Sequence, residues 1–173
     1  SEIDKVFIET GNYYDLNNQI IYTPLSELRI RIDDGYKGPR TLTEWQAKHL
    51  AAYESTVRLY GAKLGLPVYE FYVLFSKPID GGVVAGEYYG GNMGVNPMCF
   101  DKNAMSDPTE YALALRDLAT HELTHNYIGK HNEEFTSRLA SVQGSASTEF
   151  KNTLRIAEKA TGKESGLTKK EVV

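Results

Sequence analysis

Three of the four histidines in the chain fall within eleven residues, in the run His-Glu-Leu-Thr-His-Asn-Tyr-Ile-Gly-Lys-His from His121 to His131. On an α-helix, residues four apart differ by only about 40° in azimuth, so His121 and His125 project from one face. Two neutral imidazoles placed this way grip a divalent cation, and Glu122 beside them is positioned to act as a base toward water. His131 is the expected third ligand. On an unbroken helix it would sit about 240° round from His125 and face away. The helix must therefore end between them, and Gly129 suits that end because it takes a left-handed cap without a Cβ penalty. Three protein ligands with one open position are the pattern of a hydrolytic zinc site. The expectation is one catalytic Zn²⁺ on His121, His125 and His131, with Glu122 as general base in peptide-bond hydrolysis.

Each of these residues also has a plainer reading. Short His-Glu-x-x-His patterns arise by chance on helices, where the histidines are merely hydrogen-bonded polar groups. Glu133 or Glu134 can replace His131 as third ligand, although two acids at a helix start are already explained by the helix dipole. A zinc-stabilised binding or regulatory module without turnover is the alternative to an enzyme, and Glu122 argues against it because a structural site needs no base. Hydrolysis of a non-peptide amide would use the same residues. His49 reads as a half-exposed structural residue and Cys99 as a small buried one.

Composition narrows the class. A chain of 173 residues suffices for one domain with a real core, and 41% apolar with 24% charged residues is ordinary globular usage. No apolar run is long enough for a membrane helix, and no membrane partner is expected. A single cysteine rules out an internal disulfide. The net charge of −4 and the scattered Lys and Arg give no direct tight nucleic-acid binding. The expected partner is a protein or peptide substrate. A cytoplasmic setting fits. Ser1 in place of methionine suggests trimming upstream, which leaves secretion, or membership of a longer chain, open.

The remaining elements must position the histidine run. Ile3 to Ile8, Gln19 to Thr23 and Leu28 to Ile32 read as short strands, with turns at Gly11-Asn12 and Asp34-Gly35. Residues 1–38 are read as an N-terminal β-rich extension, 39–165 as the main domain and 166–173 as a polar tail. Thr43 with Gln46 makes a capping-box pattern that opens a helix ending at Gly65 and Pro67. Pro67 to Phe75 is an apolar run suited to a buried strand. Val83 to Asn96 reads as a hairpin turning at Gly90-Gly91-Asn92. Asp107, Pro108 and Glu110 start the helix that carries His121 and His125. Asn132 caps a further helix, Ser141 to Ser147 reads as a linker, and 148–160 as a last helix.

The order helix, strand, hairpin, zinc-binding helix resembles the N-terminal half of the zincin fold. That likeness implies an α+β domain with a small twisted sheet over the active-site helix, followed by C-terminal helices. The spacing His-x3-His-x5-His also occurs in metzincins, but their glycine falls at the position held here by Ile128. They also need a methionine turn downstream, whereas Met93, Met98 and Met105 all precede His121. The longer run His-Glu-Leu-Thr-His-Asn-x-x-Gly-x-His-Asn-x-x-Phe-x-x-x-Leu, through Phe135 to Leu139, is more similar to the WLM metallopeptidases and their SprT-like relatives. That similarity implies His121, His125 and His131 as zinc ligands and Glu122 as base. WLM proteins are associated with cutting proteins crosslinked to DNA, for which the acidic composition here offers no support. In zincins an extended substrate pairs with the edge strand of the sheet. The expectation for this chain is that Met93, Gly94 and Val95 form that edge, with Gly86 able to serve on the other arm.

Overall fold

A computed structural model of the protein describes residues 13–14, 20–21, 29–32, 35–38, 42–66, 68–76, 86–125, 132–145 and 147–167. The architecture is α+β. Tyr13–Tyr14 (β1) and Ile20–Ile21 (β2) form a small antiparallel pair. The main sheet contains Arg29–Ile32 (β3), Glu70–Phe75 (β4), Gly86–Tyr89 (β5) and Asn92–Val95 (β6), in the order β3-β4-β6-β5. β3, β4 and β6 run parallel, and β5 runs antiparallel to β6. The expected strand at Ile3 to Ile8 and the turn at Gly11-Asn12 lie outside the described residues.

Two features of the sheet bear on the sequence reading. Within the segment 1–38, β3 pairs along its length with β4, from Arg29 opposite Tyr72 to Ile32 opposite Phe75. The β-rich N-terminal segment thus supplies a strand of the main sheet. β6, which contains Met93, Gly94 and Val95, is an interior strand with β4 on one side and β5 on the other. Its backbone groups are committed to its neighbours, so it cannot accept a further strand. Among the described residues, the hairpin's free edge is β5.

The first helix, Glu44–Leu64 (α1), starts and ends where its sequence dictates. The Thr43 hydroxyl accepts from the Gln46 N–H, the Gln46 side chain accepts from the Thr43 N–H, and Gly65 closes the helix at φ 70°. α1 is buried around most of its circumference. The next helix, Pro108–Thr124 (α2), has the predicted Asp107 cap accepting from the Glu110 N–H, with Pro108 in its first turn. Glu133–Ser145 (α3) begins with Asn132 accepting from the Phe135 N–H. Phe150–Thr161 (α4) ends at Gly162 in the left-handed region. The stretch from Ser141 is helix rather than linker as far as Ser145, and Val142 is buried there.

One core joins these layers. Tyr53, Val57 and Tyr60 of α1 meet Tyr111, Leu115 and Leu123 of α2, Leu154 and Ala157 of α4, and Phe71, Val73, Phe75, Met93 and Val95 of the sheet. Alternation along the strands then sends Tyr72, Gly94 and Glu87 to the opposite face of the sheet. Among the described residues no helix is long and apolar enough to cross a membrane.

Candidate metal centre

The histidine pair occupies the last turn of α2 and its C-cap. The helix closes earlier than the sequence suggested: His125 is the C-cap, still in helical conformation, and its N–H donates to the Glu122 carbonyl. Gly129 and His131 lie outside the described residues. The two described imidazoles are brought together as the spacing requires, with ring centres 5.1 Å apart and planes at 80°. Rings that share a tetrahedral zinc through one nitrogen each have their centres roughly 5 Å apart, given Zn–N distances of about 2.0–2.1 Å. The separation of the ring centres is thus compatible with a shared ion. Among the described residues no group of three His, Cys, Asp or Glu forms a cation site, and the two described imidazoles do not make up one by themselves.

Phe135, on the first turn of α3, lies against both imidazoles at 5.0 and 4.7 Å between ring centres, and it is buried. An aromatic floor of this kind fixes ring orientation, as a metal ligand requires. The Asn132 cap sets the start of α3, and the first turn then delivers Phe135 to the histidines. Glu133 and Glu134, the alternative ligands, are exposed in that same turn.

Glu122 projects toward the sheet. A β-carbon placed on Gly86 of β5 would fall 3.3 Å from Glu122 Oε1, so the carboxylate lies directly against the backbone of the free edge strand. Gly86 pairs with Val95, a core residue, which puts it on the helix-facing side of the sheet. Glu122 Oε2 is buried without a hydrogen-bond partner among the described residues. Burial pushes its pKa up to about 7, with the negative charge of Glu87 adding to the shift. A neighbouring dication would oppose that rise. Tyr53, buried on α1, has its phenol pKa held well above the usual value by burial and then by Glu122. Its hydroxyl donates to the Leu118 carbonyl at 3.3 Å.

The opposite face of the sheet carries a polar strip across the edge. Arg31 pairs with Glu87 at 2.7 Å and lies over the Tyr72 ring, while the Tyr72 hydroxyl donates to Glu87. Gly94 lies beneath that ring, and a β-carbon there would overlap it. Gly94 is bare to make room for Tyr72, not for an approaching substrate. The sequence held no signal for this strip, because Arg31, Tyr72 and Glu87 become neighbours only through the strand order.

Two other residues differ from expectation. His49 is fully buried, stacked on Phe100 at 3.6 Å between ring centres, with Nδ1 2.8 Å from the Tyr111 hydroxyl. Cys99 is exposed, in a short turn after β6.

Comparison of the chain with protein-family models, curated proteins and solved structures found no match.

Proposed function

We propose that the protein is a zinc-dependent endopeptidase of the zincin type. The observation that carries this reading is the meeting of three features at one place. A histidine pair is spaced for one ion. A glutamate on the same helix turn has a buried oxygen left unpartnered. A strand edge paired on one side passes directly against that glutamate. The order of the sheet, with an antiparallel edge strand next to the histidine helix, supports the zincin likeness.

His121 and His125 would hold the ion, with His131 as third ligand. Zinc bound there supplies a Lewis acid for a peptide carbonyl and for water. Glu122 takes the proton of the attacking water and returns it to the leaving amine. Phe135 keeps the imidazoles oriented. β5 receives the extended peptide as an added strand, with Gly86 leaving room for the scissile bond over Glu122.

The test pairs metal analysis with cleavage of a peptide library in the presence and absence of a chelator. Wild-type protein is expected to hold about one zinc per chain and to cut peptides. Glu122→Gln is expected to keep its zinc and lose about 10²-fold or more of the rate. A protein that takes up no zinc on titration overturns the metal centre. Zinc retention with no turnover in either protein supports a zinc-stabilised module instead.

A further inference from the structure

We propose that a second cleft, at the other end of the molecule, binds a nucleoside phosphate. It lies between the first turn of α1, the short turn Lys102–Met105 and the C-terminal end of α4, and this solvent-open groove has a volume of about 740 Å³. That volume is within the range of small-ligand sites. Its position is well removed from the metal centre. Ser106 lines it just before α2 begins, and Glu122 lies a further sixteen residues along, roughly 24 Å at helical rise.

Lys48, Lys102 and Lys163 converge on this cleft from three separate segments, in a chain whose net charge is −4. Among the described residues, Lys48 alone of the three has its charge matched, by Glu44 at 3.1 Å. Lys163 donates to the Ser106 carbonyl at 2.6 Å, which holds the ammonium in place without neutralising it. Among the described residues neither Lys102 nor Lys163 has a carboxylate partner. Asp101 accepts from the Asn103 N–H and Asp107 from the Glu110 N–H, which orients both carboxylates as helix caps. The Thr43–Gln46 capping box occupies part of the start of α1, so the attraction for an anion rests on the lysines.

Trp45, the only tryptophan in the chain, forms part of the same wall and is half-buried. An indole in a cleft wall is a platform on which an aromatic base can stack whatever its identity. Ammonium groups on flexible stems take phosphate oxygens as point charges. A flat ring and a phosphate chain together are the chemistry of a nucleoside di- or triphosphate. Inorganic phosphate alone leaves the indole unused, and a nucleoside alone leaves the lysines unused.

The single tryptophan makes the test direct. Adenosine diphosphate is titrated into the full chain at low salt without added divalent metal, with Trp45 fluorescence and calorimetry as readouts. Saturable quenching with Kd below about 1 mM is expected. Adenosine and inorganic phosphate are each expected to bind at least about tenfold more weakly, and the affinity to fall as salt is raised. Lys102→Ala with Lys163→Ala is expected to weaken binding at least about tenfold, whereas Lys63→Ala, away from the cleft, leaves it unchanged. Absence of saturation up to about 5 mM overturns the proposal, as does equal binding by the double variant in calorimetry. Tight binding of an oligoglutamate peptide that adenosine diphosphate does not displace also overturns it, in favour of an acidic-peptide surface. None of these readouts depends on peptidase activity.

Discussion

At position 86 the absence of a side chain is a matter of space rather than backbone angle. The residue lies outside the left-handed region, so alanine adds bulk without conformational strain, but its methyl would press on Glu122 Oε1 and the Gly94 carbonyl. Gly86→Ala is therefore expected to keep its zinc and most of its stability while kcat/KM for peptides falls about tenfold or more, because small displacements of a base are costly. Metal content, melting temperature and cleavage rate measured on one preparation check this. A variant with the full rate would place the scissile bond elsewhere. Gly94 behaves differently, although both glycines sit in one hairpin. Its missing side chain makes room for the Tyr72 ring, whose hydroxyl end is tied to Glu87 and whose face lies under Arg31. Gly94→Val must displace that ring. It is expected to lower stability by about 1–3 kcal/mol, the usual cost of overpacking, as read from urea midpoints. An unchanged midpoint would mean the strip is loose.

Elements were legible where a local rule acts alone. Thr43 and Gln46, Asp107 and Pro108, and Asn132 each start a helix where their side chains can satisfy orphan N–H groups, and all three starts occur at those residues. The hairpin turn at Gly90-Gly91 is equally local, with φ of 59° and 87°. The face shared by His121 and His125 follows from helical period alone. Strand order was not legible, because it depends on pairings between residues far apart in the chain. Nothing in Arg29 to Ile32 says that these residues will lie beside Tyr72 to Phe75, and so the segment reads as an appendage. The same ignorance of order misassigned the edge. Met93 to Val95 and Gly86 to Tyr89 are both short glycine-containing arms, and only the parallel pairing of β6 with β4 makes one interior and the other free. His49 was misread for a related reason. Its burial comes from Phe100 and Tyr111, fifty-one and sixty-two residues away in sequence.

For the molecule as a whole, two buried ionisable groups on α1 pull stability in opposite directions with pH. Burial lowers the His49 pKa from 6.5 to about 3. Its neutral form contributes stability that is full above 6.5 and is lost as pH falls toward 3. Glu54 is raised by burial from 4.5 to about 7, with Arg58 opposing, so its contribution is full below 4.5 and lost as pH rises through 7. His49→Gln removes the first without adding a charge. With both proteins metal-free, the variant should lose stability less steeply between pH 6 and 4, by up to about 1.4 kcal/mol per pH unit, one proton's worth. Parallel urea midpoints over that range would show that His49 does not govern acid unfolding. The histidines of the proposed metal centre have a different consequence, through α3. Only Phe135 and Val142 are buried along its thirteen residues, and Phe135 rests on the two imidazoles. Burial of one such ring contributes about 1.5–3 kcal/mol, so much of what anchors α3 depends on rings that a cation would immobilise. Chelation should speed amide exchange across Glu133 to Ser145 while Leu115 and its neighbours in α2 stay protected. Unchanged exchange in α3 would show that Phe135 holds without the ion. A helix released in this way is open to cleavage at Arg138, which is exposed, so the supply of metal would set how long each copy of the protein survives.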